Sequence, residues 1–226
     1  MEKLFCIKKV NVFLPLSIIF FICSMFSKNM QTNVEIDYIK PNTVKDLLIT
    51  QTGIASHYGT KFHKRKTASG EEFDLFAHTS AHKKLPFGTI VKVINTENNM
   101  VTLAKINDRG PFVKGRIIDL SHKAARMING FNNPKVNIQC FDNNKILETI
   151  DSNYLLGYSI VEPFVILNKN SVNILDATDN FEGAMNSYLN IINNADTTYF
   201  LYLFAKAEKT SNKQQYFIGR KNCKDS

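Results

Sequence analysis

The chain has 226 residues and a formal charge of +8 at pH 7. This length allows one good hydrophobic core and a smaller second unit, because single domains usually run to roughly 100–200 residues. The basic surplus is local: residues 53–142 hold 14 basic and 7 acidic side chains, whereas residues 143–226 hold 8 and 9. An anionic partner is therefore predicted for the first segment, and the absence of a nucleic-acid-binding motif argues against nucleic acid.

Residues 1–27 have the pattern of an export leader, because three lysines precede an apolar run over Val10–Phe26. A stable membrane span needs about 20 apolar residues, so a cleaved signal peptide is favoured over an N-terminal anchor. Cys23 raises the alternative of a lipid anchor. Phe21 and Ile22 stand where lipid attachment needs a small residue, so an ordinary leader residue is favoured.

Two cysteines, Cys140 and Cys223, remain after the leader. In an oxidising compartment they could form one disulfide that ties the first domain to the C-terminus. Two unpaired thiols are the alternative, and the sequence leaves both open.

Residues 28–50 are polar and rich in Asn, Lys and Thr, with a turn signal at Pro41-Asn42. They predict an irregular spacer. From Gly53 onward the chain changes to short apolar segments separated by Gly, Pro and Asn.

Several short strands are predicted in residues 51–142. The β-branched runs 90–94 and 101–106 flank five turn-forming residues and predict a hairpin. Residues 117–120 predict a further strand, after which Ser121 can cap a short helix toward Gly130. With a closing strand at Val136–Phe141, the pattern favours a mainly β fold, a small barrel with one short helix.

The segment 143–226 predicts a small α/β region whose role the sequence does not indicate. Strands are expected at 159–167, 199–204 and 215–219, and a helix at 181–192.

A chain reversal at Gly110-Pro111 follows the second hairpin strand and leaves Asp108 near an exposed rim. Residues Asp119-Leu120-Ser121 come shortly afterwards. On this spacing alone, Asp108 is an aspartate that hydrogen-bonds its own turn, since Asp is common in turns.

Five separated motifs together carry a family resemblance. They are Gly53–Gly59, Thr67–Glu71, Ala81-His82, Leu85–Thr89 and Asn107–Pro111 with its following Asp119-Leu120-Ser121. In this order they resemble the rare lipoprotein A-like septal lytic transglycosylases. The resemblance implies a six-stranded double-psi β-barrel over residues 51–142.

The resemblance also implies an activity: endolytic cleavage of the MurNAc–GlcNAc β-1,4 bond of peptidoglycan with 1,6-anhydro-MurNAc ends, in cell-wall remodelling or daughter-cell separation. No cofactor or metal is expected. The expected partners are peptidoglycan glycan strands and division-site proteins, and the membrane only through the leader or a lipid anchor. The expected location is the periplasm of a Gram-negative-type bacterium.

A lytic transglycosylase can work with one acid/base residue, because the C6 hydroxyl of the muramic sugar attacks the anomeric carbon. A glycoside hydrolase usually needs two carboxylates. The resemblance assigns the acid/base role to Asp108. Glu71 is expected to be its neighbour, raising its pKa or holding a sugar hydroxyl, and His82 to orient it or stabilise developing charge. A solvated loop charge and a structural histidine are the respective alternatives.

The remaining expected site residues support Asp108. Asp119 is expected to pair with Arg109 and, with Gly110 and Pro111, to fix the reversal; alternatively, Arg109 faces a substrate carboxylate. Tyr58 and Phe87 are candidates for stacking on sugar rings, although such aromatics are more often part of a core.

One residue departs from the family pattern. His57 stands where the family usually has Trp, and the chain contains no Trp. This departure favours a rival hypothesis, a non-catalytic peptidoglycan-binding or septal scaffold protein with the same barrel.

Overall fold

A computed structural model describes residues 41–150, 153–194, 201–206 and 214–221 of the chain. The predicted leader and residues 28–40 of the predicted spacer lie outside these ranges. Within them, no helix has the length and apolar character needed to cross a membrane.

Six strands close into a barrel. They are β1 (Leu48–His57), β2 (Thr79–His82), β3 (Ile90–Asn95), β4 (Val101–Asp108), β5 (Arg116–Leu120) and β6 (Lys135–Phe141). Their order around the barrel is β1-β5-β2-β4-β3-β6. The pairs β1/β5 and β2/β4 are parallel and the other four are antiparallel. The predicted six-stranded barrel is therefore confirmed.

The locally encoded elements also agree with the sequence. The antiparallel β3/β4 pair is the predicted hairpin. Helix α2 spans His122–Met127, preceded by α1 at Pro41–Asp46, and the Ser121 hydroxyl accepts a hydrogen bond from the Ala124 N–H at 3.2 Å. This bond satisfies one of the free N–H groups of the first turn.

The prediction of an irregular spacer is wrong from Pro41 onward. Helix α1 occupies Pro41–Asp46, and β1 already begins at Leu48. The cause is burial: Val44 and Leu47 are both 5% exposed and pack into a hydrophobic cluster.

The C-terminal region combines helices with a five-stranded antiparallel sheet, as the sequence predicted. Its elements are α3 (Asn143–Thr149), β7 (Tyr154–Tyr158), β8 (Val165–Asn168), β9 (Val172–Thr178), α4 (Phe181–Asn194), β10 (Leu201–Lys206) and β11 (Tyr216–Lys221). The strand order is β8-β7-β10-β11-β9.

The strand predicted at 159–167 is wrong over most of its length. Strand β7 ends at Tyr158, and β8 begins only at Val165. The Ser159 hydroxyl accepts hydrogen bonds from the N–H groups of Val161 and Glu162 at 3.2 and 3.0 Å. This local turn competes with strand pairing.

The barrel and the C-terminal region share a hydrophobic cluster. Barrel side chains Ile90, Leu103 and Phe141 pack in one cluster with residues such as Tyr158 and Met185. A separate cluster fills the barrel and includes Cys140, a buried free thiol. Cys223, the other half of the disulfide considered above, lies outside the described residues.

Candidate active site

Asp108 is the last residue of β4 and is partly buried at the barrel rim. Its Oδ1 atom accepts hydrogen bonds from the backbone N–H groups of Ala68 and Arg109, both at 2.8 Å. Its Oδ2 atom accepts one from the Tyr58 hydroxyl at 2.7 Å. Asp108 therefore does hydrogen-bond its own turn, through the Arg109 N–H. Tyr58 and Ala68, which are distant in sequence, supply two further donors. These three donors fix the direction of a carboxylate, which is an acceptor when ionised.

Tyr58 follows β1 and positions Asp108. Its ring packs against Phe73 with the centroids 4.5 Å apart and makes an edge contact with Phe62. Burial raises the pKa of Tyr58, and the hydrogen bond to Asp108 raises it further. The phenol therefore stays protonated and remains a donor.

Asp119 is the carboxyl group that lies level with Asp108 across β2. Ala81 of β2 is the register partner of Asp108 on β4 and of Asp119 on β5. The two carboxyl groups thus stand at the same level on either side of Ala81, because equivalent positions of neighbouring strands share a face. Asp119 also accepts a hydrogen bond from the Ser56 hydroxyl.

The pKa of Asp119 is raised, chiefly by burial. The Ser56 hydrogen bond and the charge of Arg116 lower it in part, while the negative charge of Asp108 raises it again. Asp119 is therefore a carboxyl group suited to holding a proton beside Asp108.

The predicted pairing of Asp119 with Arg109 is wrong. The Arg109 guanidinium donates to the Leu85 carbonyl at 3.0 Å, and its central carbon lies 3.7 Å from the Phe87 ring centroid. Arg109 follows the end of β4, and its side chain extends toward the loop that follows β2. The Arg109 side chain therefore stabilises this loop next to the barrel rim.

Glu71 pairs with two polar side chains of β4. It accepts hydrogen bonds from Lys105 at 2.7 Å and Asn107 at 2.9 Å. Both donors lie on β4, where Asn107 is an extra residue in the pairing with β2, between Ile106 and Asp108. Burial alone would raise the pKa of Glu71, but the hydrogen bonds from Lys105 and Asn107 outweigh it and lower the pKa.

His82 stabilises the loop that follows β2. A structural histidine was the alternative that the sequence left open. Its Nδ1 accepts the backbone N–H groups of Lys84 and Leu85 at 3.2 and 3.0 Å, and its Nε2 lies 3.2 Å from Gln51 Oε1. Burial, with a smaller contribution from the charge of Arg109, lowers the pKa of His82 to about 4. A neutral ring with both nitrogens engaged is not suited to stabilising charge at Asp108.

His57 ends β1 and makes an edge contact with Phe131, the ring centroids being 5.2 Å apart. Its Nδ1 atom is buried and has no hydrogen-bond partner within the described ranges. The ring packs against Phe131 and does not provide the broad open face of a Trp at this position.

An exposed aromatic residue that the sequence reasoning missed lies near Asp119. Phe112 follows Gly110-Pro111 directly and is 86% exposed. Gly110 has a φ of 136°, and a Cβ there would be 3.4 Å from Asp119 Oδ2 and 3.9 Å from the Phe112 ring. The available signal was a large apolar residue directly after a Gly-Pro reversal, where a core position is not expected.

The part of the chain that the structure describes contains no group of three or more His, Cys, Asp or Glu side chains that could hold a metal ion.

Comparison with known proteins fits this geometry. Residues 50–140 match the family model described as lytic transglycolase. The barrel domain belongs to this family. The resemblance seen in the five motifs is confirmed, and with the closed six-stranded barrel so is the double-psi β-barrel fold.

Relatives of this lytic transglycolase domain carry closely similar sequences. A Helicobacter pylori (strain 26695) protein named endolytic peptidoglycan transglycosylase RlpA is 60% identical over 76 residues, which are 34% of this chain and 24% of the relative. A Neisseria meningitidis (serogroup A) protein of the same name is 49% identical over 96 residues, 42% of this chain and 39% of the relative. The chain thus covers about a quarter to two-fifths of these relatives' length.

Proposed function

We propose that this protein is an endolytic peptidoglycan lytic transglycosylase that cleaves the MurNAc–GlcNAc β-1,4 bond and leaves 1,6-anhydro-MurNAc ends. The observation that carries the proposal is the fixed Asp108 carboxylate at the barrel rim with Asp119 across Ala81. The names of the relatives support the same reaction on the same polymer.

Asp108 is the proposed general acid and then general base. In its protonated form it first gives the proton to the leaving glycosidic oxygen, and the resulting carboxylate then takes the proton of the C6 hydroxyl as that oxygen closes the anhydro ring. The proton count is restored after each turnover, and no water is consumed. Asp119 replaces Glu71 as the proposed carboxyl neighbour, because it stands level with Asp108 across Ala81 and the negative charge of Asp108 adds to its raised pKa.

Tyr58 and Arg109 are proposed positioning residues. Tyr58 holds Oδ2 of Asp108, and Arg109 supports the adjoining loop through Leu85 and Phe87. Glu71 orders the segment that supplies the Ala68 N–H, because it ties this segment to Lys105 and Asn107.

Such a reaction requires a location outside the cytoplasm. The finer location that we propose is the periplasm of a Gram-negative-type bacterium, with division-site proteins as partners. The leader pattern of residues 1–27 supports export, and the basic balance of residues 53–142 suits an anionic wall.

The test is to incubate the purified protein with sacculi and to identify the released fragments by mass spectrometry. Asp108→Asn is compared with wild type, and Asp176→Asn on the exposed β9 serves as the matched control. Anhydro-muropeptides from wild type and control, but not from Asp108→Asn, support the proposal. Reducing-end products would identify a hydrolase.

The rival function is a non-catalytic peptidoglycan-binding or septal scaffold protein, favoured by His57 in place of the family Trp. Equal sacculus binding by wild type and Asp108→Asn, without release of fragments from either, would support the scaffold and reject the enzyme.

A further inference from the structure

An open cleft of about 720 Å³ lies between the barrel and the C-terminal region. Its barrel wall contains Ser69–Glu71 and Phe87, and its C-terminal wall contains residues 179–181 and Gln214. This volume is in the range of ligand sites, about 300–1,000 Å³. The family match ends at residue 140, so it does not include the C-terminal wall.

The cleft adjoins the Asp108 site on two sides. The N–H of Ala68 binds Asp108, and the next N–H, of Ser69, donates to the Asn107 carbonyl at 3.2 Å. On the other side, Phe87 stacks on Arg109, which follows Asp108 in the chain. A polymer that crosses Asp108 can therefore continue into the cleft.

Phe87 provides a fixed aromatic surface. The Arg109 guanidinium covers one face of its ring, yet the residue remains 40% exposed and lines the cleft. Aromatic rings held in this way offer a large contact surface with little loss of side-chain entropy on binding.

The C-terminal wall provides a fixed donor beside an acceptor. The Asn180 side-chain oxygen accepts the N–H groups of Glu182 and Gly183 at 2.9 and 3.3 Å, which caps α4. Its amide nitrogen is left with two N–H donors and no hydrogen-bond partner in the described segments. The exposed carboxylate of Asp179 stands next to it in the chain. Sugar hydroxyl and acetamido groups both donate and accept, so they can use this pair.

The charges favour a neutral ligand. Lys105 is neutralised by Glu71 at 2.7 Å, which leaves Asp179 as a negative charge at the rim. An anionic peptide would be repelled there, whereas a neutral N-acetylated sugar would not.

We propose that this cleft is a saccharide subsite, formed by Phe87, Asp179 and Asn180, that holds sugar residues of a glycan strand beyond the bond at Asp108. The identity of the polymer rests on the proposed transglycosylase function. The C-terminal region then contributes directly to substrate binding, and longer strands bind more tightly than a disaccharide.

The decisive variant exchanges the two polar residues, Asp179→Asn with Asn180→Asp. The exchange preserves net charge, size and the capping oxygen of residue 180, but it reverses donor and acceptor. The matched control is the same exchange on β9, Asn173→Asp with Asp176→Asn. Binding of peptide-free strands, of peptide-bearing strands and of a disaccharide is measured by calorimetry in an Asp108→Asn background, and thermal melts verify folding.

We expect the exchange at residues 179 and 180 to weaken the binding of long strands roughly tenfold, the effect of about one lost hydrogen bond. Disaccharide binding and the β9 control should not change. This result would support the subsite even if the sacculus assay yielded no anhydro products. The subsite would be overturned if the parent protein bound long strands and the disaccharide equally well, or if the exchange at residues 179 and 180 left binding unchanged. Anhydro products in the sacculus assay could still support the enzyme in that case. An effect confined to peptide-bearing strands would overturn the saccharide assignment.

Discussion

Asp108 and Asp119 lie at the same level of the barrel sheet, one on each side of Ala81. Each has its own hydroxyl donor, Tyr58 for Asp108 and Ser56 for Asp119. Both carboxyl groups stand at one rim, and the negative charge of Asp108 adds to the raised pKa of Asp119.

Asp119→Asn should lower kcat on sacculi by roughly 100-fold or more, since it removes a group positioned for proton transfer. Ser56→Ala should retain activity but shift the pH profile upward, because loss of the hydrogen bond raises the pKa of Asp119. The measurement is kcat and KM across pH. A wild-type kcat in Asp119→Asn would make this residue purely structural.

Phe112→Ala should raise KM several-fold with little change in kcat or stability. The ring is 86% exposed beside Gly110, so its removal costs no core packing but removes a surface on which a sugar can stack. Phe112→Trp keeps an aromatic surface and should have a KM close to that of wild type. The matched control is Phe76→Ala, which removes another exposed ring at 65% exposure. An equal KM change in both variants would contradict a specific role.

His82 should make stability fall as the pH drops from 6.5 toward 4. The ring stays neutral in the folded protein because burial lowers its pKa from 6.5 to about 4. The unfolded chain binds a proton in that window, which favours unfolding by about 3 kcal/mol at most. Denaturant unfolding at pH 7 and pH 4.5 should show a smaller pH dependence in His82→Asn than in wild type. An unchanged dependence would contradict the role of His82.

Glu182 should contribute stability in a lower pH window. Its carboxylate accepts the His78 backbone N–H and the Lys123 ammonium, each at 2.6 Å. Burial opposes the charge, but the hydrogen bonds from His78 and Lys123 prevail and lower its pKa from 4.5 to about 2. The contribution, roughly 3 kcal/mol at most, is present above pH 4.5 and lost as the pH falls toward 2.

Glu182→Gln should therefore be less stable than wild type at pH 7, and the difference should shrink toward pH 2. Chemical denaturation at several pH values measures it. Glu148→Gln, on an exposed position of α3, should behave as wild type throughout. A Glu182→Gln difference that does not vary with pH would point to packing rather than charge.

Local signals predicted much of the barrel. The β3/β4 hairpin and the Ser121 cap depend on residues close in sequence, so alternation and capping preference were sufficient. The start of β1 was missed because Val44 and Leu47 are buried by distant segments, and no local pattern records such contacts.

The site was only partly predictable for the same reason. Motif order led to Asp108 as the proposed acid/base residue, but its position level with Asp119 depends on β2 lying between β4 and β5, which brings three separated segments together. The spacing that suggested an Arg109–Asp119 pair ignores the direction of the side chains. The hydrogen bonds from Lys105 and Asn107 to Glu71 join segments far apart in the sequence, so no local pattern indicated them.

The hydrophobic cluster shared by Ile90, Leu103 and Phe141 with the C-terminal region bears on how the protein unfolds and how it can be divided. A chain cut after Asp142 would expose these apolar side chains to water and would be prone to aggregate. Melting is expected as one cooperative transition, and protease-resistant fragments are not expected to end at the junction. In this protein the barrel is thus one part of a larger folding unit rather than an interchangeable module.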